Sequence, residues 1–138
     1  MESKDKDCVF CNLEGREIIA QNNLAYAFYD QYPVNVGHTL IVPRRHVEQL
    51  FDATFEELDA INRLVFEVKD ILEEKYRPDG YNVGVNVGLA AGQTIFHLHI
   101  HVIPRYIGDA VDPRGGIRKI KKNMVPYPAK EKPPKREK

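Results

Sequence analysis

The run T-I-F-H-L-H-I-H-V-I-P, residues 94–104, constrains this chain more than any other eleven residues. Side chains on a β-strand alternate faces. A strand over Thr94–Pro104 puts Phe96, Leu98, Ile100 and Val102 on one face, packed against a helix, and His97, His99 and His101 on the other. The apolar set is an ordinary core face. The histidines are not ordinary: three of the chain's five stand at alternate positions, and core packing asks for no such row. At about 3.3 Å per residue the outer two lie roughly 13 Å apart, too far to close on one metal ion together. The row divides labour instead. One ring holds, one attacks and one delivers a proton.

The rest of the chain has the bulk of one domain. It has 138 residues, 43% hydrophobic and 29% charged, enough to bury a core. No apolar run approaches the ~20 residues of a membrane span. The charged start M-E-S-K-D-K-D lacks the apolar stretch of a secretion signal, so the cytoplasm is the expected location. Net charge is zero but uneven: residues 112–138 carry ten basic and three acidic groups. Ala129–Lys138, rich in Lys and Pro, is expected to be disordered.

The clearest helix starts at a Thr54-x-x-Glu57 capping box. Its apolar positions Leu58, Ile61, Leu64, Val65, Val68, Ile71 and Leu72 recur at three- and four-residue steps through Tyr76. Glu57 and the other charged residues fill the opposite face, and Arg77-Pro78-Asp79-Gly80 stops it. Leu13–Ile19 reads as a short helical turn, Leu24–Asp30 and His38–Pro43 as strands, and Pro33–Gly37 as the loop between them. In Tyr81–Gly88, Tyr81, Val83, Val85 and Val87 face the core while Asn82, Gly84, Asn86 and Gly88 face outward. Glycines beside Asn86 leave room for a ligand across that face, or the strand is a decorated edge. Leu89–Thr94 is a small-residue loop able to offer N–H groups and a hydroxyl to an anion. The expected fold class is α+β: an antiparallel sheet of about five strands with one long helix and one short one.

Cys8-Val9-Phe10-Cys11 is the only cysteine pair. It reads as a redox pair, half a metal site completed by His46 and one histidine of the row, or two reduced thiols. Asp30 reads as a strand-end turn residue or a ligand group. Arg44 and Arg45 read as solvated surface rather than a phosphate grip, and Arg114 and Arg118 as a solvated basic segment.

H-L-H-I-H-V-I resembles the His-x-His-x-His-x-x signature of the histidine triad family of nucleotide hydrolases and transferases, and the likeness extends over about 110 residues. It implies a family domain over residues 1–111 and a basic extension over 112–138. Asp30 stands eight residues before His38, the spacing at which the family holds ribose hydroxyls, and His38 then supports the triad. Asn86, Gly92, Gln93 and Thr94 match the family's phosphate contacts. Cys8, Cys11, His46 and His97 match the ligands of a structural zinc site found in many bacterial and archaeal relatives. A homodimer is implied as well, with Arg114 and Arg118 open to a polyphosphate.

A neutral imidazole is a competent nucleophile near neutral pH. Attack on an α-phosphorus forms a nucleotidyl-histidine and splits one displacement into two. His99, flanked on both sides, suits that role. Its Nδ1–H should meet a fixed acceptor, while His101, helped by His38, delivers a proton. Family transferases carry Gln at the third position; His101 favours hydrolysis. The Pro104-Arg105 ending resembles the branch that hydrolyses dinucleoside polyphosphates, with magnesium accompanying the substrate and the base among Val9, Phe10, Leu13 and Phe28. The alternatives are a phosphoramidase or adenylyl-sulfate hydrolase, a dinucleotide phosphorylase, a metal-dependent hydrolase using His97 and His99, and a non-catalytic nucleotide-binding zinc protein. Neither membrane nor nucleic acid is an expected partner.

Overall fold

The structure, a computed structural model, describes residues 5–121. Five strands form one antiparallel sheet: β1 (Ile18–Gln21), β2 (Ala25–Tyr29), β3 (Thr39–Pro43), β4 (Gly80–Gly84) and β5 (Ile100–Arg105), in the order β1-β2-β3-β5-β4. One long helix, α1 (Phe55–Tyr76), joins β3 to β4. The only other helical segments among the described residues are three single 3-10 turns, at Leu50–Asp52, Leu89–Ala91 and Gly116–Arg118. The stretch 13–19 is not a helical turn. It bends at Glu14 and Gly15 and becomes β1, whose Ile18 and Ala20 pair with Phe28 and Ala27. No helical face is built there because Ile18 and Ile19 are claimed by the sheet.

The helix begins as its sequence indicates. Thr54 accepts from the Glu57 N–H, and the Glu57 carboxylate accepts from the Thr54 N–H at 2.9 Å. Glu57 nevertheless does not lie in solvent as its helical position suggested. It is 4% exposed and takes a two-point contact from Arg45, at 2.8 and 3.1 Å. Burial alone would push its carboxyl up, but the Arg45 and Thr54 bonds hold it below the usual range. Arg45 is therefore a clamp between β3 and α1 rather than loose surface. Arg44 lies over the Tyr26 ring at 4.5 Å and donates to the Asn22 carbonyl.

The two faces of the sheet have different fates. Ala25 and Ala27 of β2, Ile41 of β3, and Ile100 and Val102 of β5 pack against Ile61, Leu64, Val68 and Leu72 of α1. On the opposite face Phe28, Leu40 and Val42 are covered by Phe10 from the N-terminal segment. That cover lies over β1, β2 and β3; beyond it the turn at Gly116–Arg118 approaches β4 at Asn82 and Gly84, and a groove is left beside His101 of β5.

Two strand expectations fail at their ends. Regular pairing of β5 starts at Ile100, opposite Ile41, and residues 95–97 bend instead. The Leu98 N–H is taken by the Val47 carbonyl at 2.7 Å rather than by a strand. Phe96, assigned to the core face, is 42% exposed. β4 likewise ends at Gly84, and Val83 on this edge strand is 43% exposed, although Tyr81 two residues earlier still reaches α1 at Glu73. The disorder expected of Ala129–Lys138 concerns residues outside those described.

Candidate active site

Sheet register assembles the site. Leu40 and Gly84 flank His101 on the outer face, and Asn82 lies beside Ile103. His99 follows the same face just before β5 begins. Its Nδ1–H donates to the His97 carbonyl at 2.8 Å, so its Nε2 is left with a free lone pair. That is the acceptor the attacking role requires. The ring is held edge-on by Phe10 at 5.1 Å and by His101 at 5.1 Å.

The protons on the neighbouring rings follow from one backbone amide. Val34 N–H can only donate, and it donates to His38 Nδ1 at 3.0 Å. A neutral His38 therefore carries its proton on Nε2. That atom lies 2.9 Å from His101 Nδ1 and 3.4 Å from Asp30 Oδ2. His101 Nδ1 is then an acceptor, and the His101 proton sits on Nε2, at the far side of its ring. Burial, with the neighbouring His99 and His38, pushes His101 down to about 4 against the pull of Asp30, and His38 is lowered by burial too. Both rings are neutral at neutral pH. Asp30 is itself fixed by the Tyr32 N–H on Oδ1 at 2.9 Å.

The four residues Cys8, Cys11, His46 and His97 come together, with all ligand atoms within 4.8 Å of one another. Cys11 Sγ stands 3.2 Å from His46 Nδ1 and 3.4 Å from His97 Nδ1, and Cys8 Sγ 3.4 Å from His97 Nδ1. A tetrahedral zinc ion with ordinary bond lengths separates sulfur and nitrogen ligands by about 3.5 Å, so the set fits. His97 Nε2–H donates to the Pro43 carbonyl at 2.9 Å, which turns the Nδ1 lone pair toward the thiols. Burial raises the Cys8 thiol and lowers His97 to about 4. Asp30, His38 and His101 also cluster, but there the Val34 bond puts a proton on the nitrogen a metal would need. That cluster is a hydrogen-bond relay.

Other expected residues divide. Asn86 and Gly92 line an open groove with His38 and His101, and Thr94 is exposed on the same loop. Gln93 is not placed for a phosphate. It is 1% exposed, its oxygen accepts from Gly88 N–H, and its amide donates to the Glu48 and Ile95 carbonyls at 2.6 and 3.1 Å. It shapes the loop from behind. Phe28 and Phe10, expected against a base, are 0% and 4% exposed. Arg16 covers the Phe28 ring at 4.8 Å, so neither ring offers a stacking face. Phe10 packs edge-on against His99, and Phe28 backs Phe10. Arg114 is tied to Asp112 at 3.0 Å. Gly84 admits the chain's own Ile117, whose Cδ1 would stand 3.2 Å from an added Cβ. Val34 was missed because the direction of a backbone amide leaves no mark on residue identity. The close approach that a strand glycine signals was legible at Gly84, but it is the chain's own Ile117 that makes it.

An imidazole with a free Nε2 lone pair beside a hydrogen-bonded pair of neutral histidines has the parts that nucleophilic group transfer needs. A family model described as "HIT domain" matches residues 14–108, and the chain belongs to that family. It is 36% identical over 106 residues to an uncharacterized 16.1 kDa HIT-like protein of Mycoplasma pneumoniae, covering 74% of each chain. It is 42% identical over 96 residues to an AP-4-A phosphorylase of Mycobacterium tuberculosis, covering 67% of this chain and 48% of that one. The crystal structure of a HIT family protein from Bacillus anthracis superposes with TM-score 0.71 at 33% identity, covering 75% and 77% of the two chains.

Proposed function

We propose that the chain cleaves dinucleoside polyphosphates at the α-phosphate through a nucleotidyl-histidine at His99. The observation that carries this reading is the 2.8 Å bond from His99 Nδ1–H to the His97 carbonyl, which leaves Nε2 as the only attacking atom. Nε2 adds to phosphorus as the bond to the leaving oxygen breaks. The His101 Nε2–H hydrogen-bonds that oxygen, which leaves as a phosphate anion without taking the proton, and His38 holds His101 in the tautomer that can do so. Water then attacks phosphorus, the P–N bond breaks, and the histidine is regenerated with release of a nucleoside monophosphate. Asn86, Gly92 and Thr94 steady the phosphates, and Asp30, next to the relay, accepts from the ribose hydroxyls. Magnesium accompanies the polyphosphate.

Cys8, Cys11, His46 and His97 hold a zinc ion in this reading, and what it supplies is rigidity, not chemistry. Among the described residues β4 is a sheet-edge strand, and Val83 on it and Phe66 on α1 are exposed, which supports a homodimer. Two reduced thiols fit a cytoplasmic setting. No helix among the described residues is long and apolar enough to cross a membrane.

The AP-4-A phosphorylase relative supports a second reading, in which inorganic phosphate replaces water as acceptor. Product analysis decides: water yields AMP from diadenosine tetraphosphate, phosphate yields ADP. His99→Gly should lower turnover at least about a thousandfold and abolish any acid-labile nucleotidylated protein. Wild-type turnover in that variant would refute the nucleophile.

A further inference from the structure

The tautomer of His38 is set by one amide, Val34 N–H, yet little apolar burial holds that amide in place. Tyr32, Val34 and Val36 are 85%, 65% and 62% exposed, so the loop between β2 and β3 gains little from packing. Asn35 is the exception. It alone among residues 31–36 is half-buried. Its side-chain NH2 makes two bonds, to the Pro104 carbonyl at 3.0 Å and to Asp109 Oδ2 at 2.7 Å. Both partners only accept, so one orientation of the amide satisfies them. The Asn35 carbonyl takes the His38 N–H at 3.1 Å and closes the turn that leads into β3.

Asp109 is the fixed point behind Asn35. Its Oδ2 also accepts from Arg105 Nε at 2.9 Å and from Tyr106 N–H at 3.0 Å, while its Oδ1 accepts from Arg105 at 2.7 Å. Arg105 is anchored in turn to Asn82 of β4 at 2.7 Å. The Arg105 and Tyr106 bonds hold the Asp109 carboxyl well below the usual range, so it stays an acceptor at neutral pH. A surface ion pair as such stabilises little. Here three donors converge on one oxygen, and what that fixes is direction. Two further contacts seat the same loop. Tyr106 donates to the Val36 carbonyl at 2.9 Å, and Gly37, at φ +92°, passes so close to Tyr76 and Pro104 that an added Cβ would stand 3.0 and 3.1 Å from them.

We propose that Asn35 and Asp109 are positioning residues for the histidine relay: Asp109 seats the Asn35 side chain, and Asn35 aims Val34 N–H at His38 Nδ1. Neither lines the groove beside His101; they act through His38. Its consequence for turnover rests on the His99 reading above, whereas its consequence for the ring protons does not.

The test uses the full chain with nitrogen-15 histidines, read by long-range nitrogen–proton NMR, in the variants Asp109→Ala, Asn35→Ala and Asp109→Asn. Loss of the acceptor or of the donor frees the loop, and a His38 form protonated on Nδ1 appears in both alanine variants. Its bare Nε2 then faces His101 Nδ1, so a His101 form protonated on Nδ1 appears with it, and kcat on diadenosine tetraphosphate falls about tenfold. Asp109→Asn removes the charge but keeps an oxygen where the three donors meet, and it restores the wild-type signals. Wild-type tautomers in either alanine variant overturn the proposal. So does an Asp109→Asn protein that behaves like Asp109→Ala, because the ion pair with Arg105 would then be what matters. Shifted tautomers with unchanged turnover, or with none even in the wild type, refute the reading of the reaction and leave the clamp standing.

Discussion

Replacing His38 by Phe tests the relay most directly. The ring is 3% exposed, and phenylalanine keeps its approximate shape while removing both nitrogens. Val34 N–H loses its acceptor and His101 Nδ1 loses its donor. Val34 sits on an exposed loop, at 65%, so its amide can turn to water. His101 Nδ1 faces the buried ring and cannot. One unmet buried group costs about 1–3 kcal/mol, and that is the expected loss of stability. The effect on rate has a different origin. Without His38 the His101 proton is free to move to Nδ1, which presents a lone pair rather than a proton to the leaving oxygen, and kcat should fall about 10–100-fold. Long-range nitrogen–proton NMR reads each tautomer, and urea unfolding reads the stability. Wild type should show His99 protonated on Nδ1 and both His38 and His101 on Nε2. A wild-type His101 protonated on Nδ1, or a variant with unchanged tautomer and unchanged kcat, would refute the reasoning.

Acid should destabilise the protein in a defined window. His101 is held near 4 and His38 is lowered, so the unfolded chain binds protons that the native rings refuse. Their contribution is complete above about pH 6.5 and is lost as pH falls toward 4. Urea midpoints should drop between pH 6.5 and 5, and by less in His101→Gln; equal drops would remove the relay from the account. Chelation of a zinc-loaded sample should lower Tm by about 10 °C with turnover retained while the chain stays folded, whereas complete loss of turnover in folded protein would make the metal catalytic. Gln93→Leu removes three bonds to backbone groups and should cost about 2–4 kcal/mol on a denaturant curve, with a raised KM from the loosened loop. A variant as stable as wild type would show that the loop holds without it.

Much of the scaffold was legible because local rules decided it. The Thr54–Glu57 box and the spacing from Ile61 to Leu72 specify α1 with little help from elsewhere. Alternation placed His99 and His101 on the face opposite Ile100 and Val102. Where it failed, a distant group had taken over. Leu98 bonds to Val47 instead of a strand, and Phe96 is left in solvent. Glu57 is buried because Arg45, twelve residues earlier, reaches it. Gln93 is buried because Glu48 and Gly88 offer it partners. Propensity and periodicity carry no term for such pairings.

Residue identity alone determined that this chain carries three imidazoles at alternate positions leading into a strand, a C-x-x-C pair near its start, and a helix long enough to back a sheet. Those follow from the 2.0 and 3.6 periods and from the few side chains that can do nucleophilic or metal chemistry at neutral pH. Only the folded chain decided which nitrogen of each ring holds a proton. That outcome depends on Val34 N–H meeting His38 and on the His97 carbonyl meeting His99, and the direction of a main-chain group is set by the path of the backbone through space. Tertiary contact likewise brought Cys8 to His97 across eighty-nine residues and folded Ile117 back over Gly84. Separation along the chain says nothing about either meeting, because each is set by how the core packs.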